Sequence, residues 1–182
     1  MNEGVQILLN YMLSENVMLV SFFGVSFLLT VTDGARASMK EGLVFATAVL
    51  VTSLAGTLLA SALPGEEVVE MLTFLVISLL AVSAIRAGGR LTGERFGLPA
   101  PLFALPLLVG SQAVLTEANL EFSLTFAASV GVGLGVYIVY VLSASMLEQI
   151  RLTETTSVVK GVPALVIALG ILGFALMGFQ LL

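Results

Sequence analysis

Six apolar segments, each about as long as a bilayer is thick, take up almost the whole of this chain. A helix rises ~1.5 Å per residue, so about 20 mostly apolar residues are needed to cross ~30 Å of hydrocarbon. Only 10% of the residues are charged, whereas a soluble domain averages roughly 25%. The sequence therefore predicts an all-α integral membrane protein with six transmembrane helices in a single domain, residues 1–182.

Two of the six predicted spans are interrupted by polar and small residues. The first is interrupted near Glu15 and Asn16 and again near Gly24, and the fourth at Gly110-Ser111-Gln112. Glu15 is expected either near the outer interface or, as a second possibility, on an ion path. The six spans are, in chain order, about Val5 to Val31, Gly42 to Leu63, Val68 to Ile85, Leu98 to Thr116, Phe122 to Leu147 and Gly161 to Leu182.

The charged residues orient the six spans. All seven Lys and Arg fall in odd-numbered loops, which share one side of the membrane. The positive-inside rule makes that side cytoplasmic and places both termini outside. The basic residues are Arg36, Lys40, Arg86, Arg90, Arg95, Arg151 and Lys160, and the opposite side has Glu66, Glu67, Glu70, Glu117 and Glu121.

The two halves of the chain show weak internal similarity. GVSFLLT (residues 24–30) aligns with GSQAVLT (residues 110–116), which pairs Gly24 with Gly110 and Ser26 with Gln112. An acidic residue follows in each half, Asp33 and Glu117. Three spans per half would give the halves opposite orientation. We therefore predict two inverted three-helix repeats, about 1–90 and 91–182, with broken first and fourth helices.

The polar residues at Gly110-Ser111-Gln112 have two interpretations. Backbone at membrane depth must be paired internally, so a broken helix in each half could line a site near the midplane. Gly24, Gly110 and Ser111 would then shape the breaks. Alternatively, the residues form a small polar cluster for helix packing, where Gly, Ser and Gln are common. The glycines of SVGVGLG, residues 129–135, separately predict close approach by another helix.

The chain contains no Cys, His or Trp. It therefore lacks the thiolate and imidazole ligands of structural zinc, haem and iron–sulfur centres, and it lacks a Cys nucleophile and a His base. A net charge of -5 and the absence of a basic patch predict no nucleic-acid partner. We expect no catalytic residue, no metal ligand and no cofactor held by this chain alone. We also expect no removable signal peptide.

Three segments carry a resemblance to a known family. ENVMLVSFFGVSFLLTV, FALPLLVGSQAVL and KGVPALVIALGILGFALMGFQLL resemble the small six-span subunits of the Rnf and Nqr ion-pumping redox complexes, in particular the RnfA/NqrE branch. The resemblance implies a subunit of a prokaryotic cytoplasmic-membrane complex that couples electron transfer to Na⁺ or H⁺ translocation. It also implies a homologous six-helix subunit of opposite topology, and flavoprotein and iron–sulfur subunits, as partners.

The chain departs from this family at its cofactor. In the family, each small subunit supplies one Cys from each half to a [2Fe–2S] cluster shared by two subunits, and the aligned positions here are Ser26 and Gln112. A hydroxyl or an amide is a poor substitute for a thiolate, so we expect neither residue to bind a cluster. Three explanations are open. The chain is a paralogue whose complex lacks the cluster, which we favour, or the partner subunit carries an altered centre. The third is that the chain is an engineered variant.

The resemblance and the missing ligands together lead to one function and two alternatives. The expected function is a structural and coupling subunit of such a complex, without activity alone. A self-sufficient transporter or channel, acting as a homodimer, would instead use Ser26, Ser111 and Gln112 as polar ligands. The third possibility is a membrane scaffold without a role in transport.

Overall fold

The computed structural model describes residues 3–28, 35–63, 67–92, 100–152 and 162–178, and the regular structure in these ranges is helical. The all-α prediction is therefore confirmed for the described residues. The helices are α1 (Glu3–Leu9), which continues as a π-helical segment (Asn10–Ser14), α2 (Val25–Leu28), α3 (Ala35–Ala62), α4 (Glu67–Thr92), α5 (Ala100–Phe103), α6 (Leu105–Glu117), α7 (Phe122–Leu152) and α8 (Val162–Met177).

Three stretches of these helices are long and apolar enough to cross a bilayer. They are Ser38–Ala62, Glu67–Gly88 and Phe122–Ile150, and Pro163–Leu176 is a shorter apolar helix. Their length and composition fit a membrane protein. The first and fourth predicted spans are divided into shorter helices. Six spans and an inverted repeat therefore stay predictions.

The long helices extend beyond the predicted ends of their spans. Five of the basic residues placed in loops by the sequence analysis lie on helices. The side of the membrane on which they lie stays a prediction. Those on helices are Arg36 and Lys40 of α3, Arg86 and Arg90 of α4 and Arg151 of α7. Asp33, Glu66, Arg95 and Lys160 lie outside the described residues.

Helices α3 and α7 form the centre of the fold and pack along each other. The α1 and π-helical segments pack on α7, and α6 packs against both α3 and α4. A Cβ on Gly135 of α7 would lie 2.6 Å from Nδ2 of Asn16, and one on Gly131 would reach the carbonyl of Leu8. The close approach predicted from these glycines is therefore found, and within the chain itself.

The first predicted span is interrupted at both expected places. The helix ends after Ser14, and irregular backbone follows until Gly24. Asn16 is only 2% exposed, and its side chain bonds to backbone on both sides of the point where the helix ends. Its Nδ2 donates to the carbonyl of Met12 at 2.9 Å, and its Oδ1 accepts from the N–H of Met18 at 3.0 Å. Gly24 has φ +95, a left-handed conformation that favours glycine.

The fourth span is not broken where the sequence analysis placed the break. Helix α6 runs without interruption through Gly110, Ser111 and Gln112, and the turn lies earlier, at Ala104. Pro106 in the first turn of α6 has no N–H, so it favours a helix start there. Gly110 and Ser111 therefore shape no break. The Ser111 hydroxyl donates to the Leu108 carbonyl of its own helix at 2.9 Å, so its polarity needs no opening of the backbone.

Candidate functional site

The two aligned segments of the sequence pack against each other through their glycines. A Cβ on Gly24 would lie 3.0 Å from Cβ of Leu107 on α6. In return, the ring of Phe23 covers Gly110, where a Cβ would collide with the ring. The irregular segment that precedes α2 is thus seated directly on α6. Each half contributes a residue without a side chain, which permits the approach.

Ser26 lies on α2 and joins the two interruptions. Its Oγ donates a hydrogen bond of 3.0 Å to the carbonyl of Phe103, the last residue of α5. Carbonyl groups at a helix C-terminus lack intrahelical donors and take such partners. The bond links the four-residue helix that follows the first interruption to the turn at Ala104. Ser26 is itself partly exposed.

Gln112 is fully buried, and its amide ties α6 to α4. Its Nε2 donates to Oγ of Ser78 at 2.9 Å, to the carbonyl of Phe74 at 3.3 Å, and to the carbonyl of Leu108 at 2.9 Å. Oε1 accepts no hydrogen bond within the described residues. This oxygen lies against Gly56 of α3, where any Cβ would collide with the amide. The amide is therefore clamped between two helices.

The geometry of this site does not fit a thiolate-ligated iron–sulfur cluster. Ser26 bonds to α5 and Gln112 bonds to α4, so the two aligned positions use separate partners. Their donor atoms are a hydroxyl and a carboxamide, which are poor ligands for cluster iron. In the described part of the chain, no three His, Cys, Asp or Glu side chains gather at a metal-binding spacing. The two positions hold helices together instead.

A cavity of about 680 Å³ opens next to this polar cluster. It lies between α3, α4, α6 and the turn after α6, on the acidic side of the predicted topology. Oγ1 of Thr116 lies at its wall, buried and without a hydrogen-bond partner within the described residues. The lining residues are Thr57, Ala60, Ser61, Glu67, Glu70, Met71, Phe74, Ala113, Thr116, Glu117, Asn119 and Leu120.

The sequence analysis found the polar positions of the site but not their partners. Gly56, Ser78 and the carbonyl of Phe103 were missed, because each is an ordinary small residue or backbone group in an apolar helix. The run of glutamates on one side of the predicted topology was the available signal for the cavity. Its depth depends on how α3, α4 and α6 separate, and no sequence pattern encodes that.

No protein-family model matches the chain, and no curated protein matches it. The function is therefore inferred from the packing of the two aligned segments, the chemistry of Ser26 and Gln112, and the resemblance of the sequence segments.

Proposed function

We propose that this chain is an integral membrane subunit of an Rnf/Nqr-type complex that couples electron transfer to Na⁺ or H⁺ translocation. Its role is structural and coupling, and it supplies no ligands for an intramembrane [2Fe–2S] cluster. Its partners are a homologous six-helix subunit of opposite topology, flavoprotein and iron–sulfur subunits, and the lipid bilayer. Its place is the cytoplasmic membrane of a prokaryote, with both termini outside.

One observation carries the proposal. The segments that align between the two halves pack on each other, with Gly24 against Leu107 and Phe23 over Gly110. Irregular backbone survives at membrane depth only where protein or a wet cavity surrounds it. Packing of the two segments on each other is the arrangement expected when two halves build one midmembrane site. The resemblance adds the redox complex to this arrangement.

Ser26 and Gln112 take a mechanical part in this proposal. At the positions where the family has cluster ligands, the side chain of Ser26 is hydrogen-bonded to α5 and that of Gln112 to α4. Such bonds fix neighbouring helices without any change in oxidation state. The chain would thus keep the architecture around a coupling path while electrons pass through other subunits.

The complex purified from its native membrane tests the proposal. Co-purifying subunits are identified by mass spectrometry, iron is quantified, and an EPR spectrum is recorded after dithionite reduction. We expect flavoprotein and iron–sulfur partners, with no iron beyond what their own cysteine motifs hold. An additional [2Fe–2S] signal from the membrane subunits would contradict the absence of a cluster. A stable isolated monomer in the native membrane would contradict the whole proposal.

The cavity favours a second candidate function. A space of about 680 Å³ with carboxylate, hydroxyl and amide groups in its lining is large enough for a small polar solute. A self-sufficient transporter or channel, built as a homodimer, would use it as a vestibule. Flux of a cation into liposomes that contain only this chain would support this function. Absence of flux, together with co-purifying flavoprotein subunits, would exclude it.

A further inference from the structure

A carboxylate near the start of α3 accepts a hydrogen bond from a buried phenol. Glu41 is partly buried and belongs to the stretch Ser38–Ala62, which is long and apolar enough to span a bilayer. Its Oε2 accepts a hydrogen bond of 2.9 Å from Oη of Tyr140 on α7, and Tyr140 is only 1% exposed. This side-chain bond joins α3 to α7.

The ring of Tyr140 packs against Phe27 of α2 and Gly42 of α3. It stacks on Phe27 with a centroid distance of 4.8 Å and an interplanar angle of 16°. Phe27 in turn meets Phe45 of α3 at 4.3 Å. A Cβ at Gly42 would lie 2.9 Å from Cδ1 of Tyr140, so the glycine lets the ring approach α3 closely. The hydroxyl bond to Glu41 fixes the remaining freedom of the ring.

Phe27 connects this stack to the candidate site. It follows Ser26 directly in α2, a helix of four residues. The N–H groups of Phe27 and Leu28 both donate to the carbonyl of Gly24, at 2.9 and 3.1 Å. Phe27 is fully buried, so the packing of its ring on Tyr140 and Phe45 positions this part of α2.

We propose that Glu41 and Tyr140 are positioning residues for the break that contains Ser26. The hydrogen bond orients the phenol ring, the ring holds Phe27, and Phe27 keeps α2 where Ser26 reaches the carbonyl of Phe103. This role needs a hydrogen-bond acceptor at position 41 and no charge. The inference rests on the proposed function for the importance of Ser26, but its test needs no electron transfer.

A single introduced cysteine reports the position of α2, because the chain contains none. Ser26→Cys is labelled with a maleimide in proteoliposomes, alone and combined with Tyr140→Phe, Glu41→Leu or Glu41→Gln. Loss of the hydrogen bond should raise the labelling rate about tenfold in the Tyr140→Phe and Glu41→Leu variants. Glu41→Gln retains an acceptor, so its rate should stay within about threefold of the parent.

The matched control uses a reporter far along α3. Ser61 is exposed and its hydroxyl donates to the Leu58 carbonyl of its own helix, so Ser61→Cys should be labelled at one rate in all four backgrounds. An unchanged labelling rate at position 26 in the Tyr140→Phe variant would overturn the proposal. Equal acceleration at positions 26 and 61 would also overturn it, because the whole fold would then have become more mobile. Acceleration in Glu41→Gln equal to that in Glu41→Leu would also overturn it, since the charge would then matter. A native membrane without redox partners would refute the proposed function and leave these rates unchanged.

Discussion

The two polar interruptions resemble each other in the sequence but differ in the structure. Between Asn16 and Gly24 the backbone leaves the helix, whereas at Gly110-Ser111-Gln112 the helix continues. Each contains a buried amide, Asn16 at 2% exposure and Gln112 at 0%. The amide of Asn16 bonds to backbone two and four residues away, and that of Gln112 reaches Ser78 on another helix.

This difference shows two ways in which an apolar helical protein accommodates a buried side-chain amide. A buried amide must find partners, and short side chains such as Asn compete for nearby backbone groups, which favours turns over helix. A longer side chain such as Gln reaches past its own helix, so the backbone stays regular. The break near Asn16 therefore depends on local bonds, and the order around Gln112 depends on how α3, α4 and α6 pack.

The largest expected effect comes from filling the space opposite Gln112. Gly56→Leu puts a side chain where the amide lies and should cost about 3 kcal/mol, because overpacking displaces both helices. Unfolding in detergent, followed by circular dichroism, measures the loss. Gly170→Leu is the control, since within the described residues a Cβ there would meet no atom of another helix within 4 Å. Adding Gln112→Ala to Gly56→Leu should recover part of the stability, and failure to do so would contradict the clamped amide.

Asn16→Leu tests the first interruption by removing its local hydrogen bonds. It leaves the N–H of Met18 and the carbonyl of Met12 without their partner, which should cost about 2 kcal/mol. Circular dichroism in detergent reports the midpoint shift, and Ser83→Ala, whose hydroxyl is exposed, is the control. If Asn16→Leu costs less stability than Gln112→Leu, the first interruption does not depend on the Asn16 amide, and the contrast between the two regions fails.

The sequence predicted the helical class and the first interruption because both follow from local properties. Long apolar runs specify α3, α4 and α7, and Asn16 and Gly24 have local reasons to leave the helix. The turn at Ala104 could have been expected from Pro106 but was placed six residues too late, at Gly110. That error arose because small and polar residues were taken to open the backbone, whereas here they serve contacts between helices.

The candidate site was predicted in its polar residues and not in its contacts. Ser26 and Gln112 were found by aligning the two halves, and both make hydrogen bonds to other helices. Their partners are distant in sequence. One of them is a backbone carbonyl, which every residue has and which no sequence pattern can single out. Only the packing of α2 on α5 and of α6 on α4 determines them.

Gln112→Leu should have a smaller effect on folding than Asn16→Leu. It removes two bonds to α4, which in membranes average about 0.6 kcal/mol each. It also removes an oxygen that accepts no hydrogen bond within the described residues. We expect a cost of about 1 kcal/mol in detergent unfolding. In the intact complex, the same variant should lower coupled turnover while electron transfer continues. Unchanged coupling would limit Gln112 to packing.

Ser26→Ala should have the smallest effect, because it removes one bond from a partly exposed hydroxyl. A cost of about 0.5 kcal/mol is expected in detergent unfolding, as Gly24 and Gly110 keep the two segments in contact without it. The double variant with Gln112→Leu should be additive within about 0.5 kcal/mol, since the two side chains share no partner. A larger coupling energy would show that both positions act as one unit, as two ligands of one site would. If the two stability costs are additive, Ser26 and Gln112 form independent helix contacts, although they occupy aligned positions in the two halves.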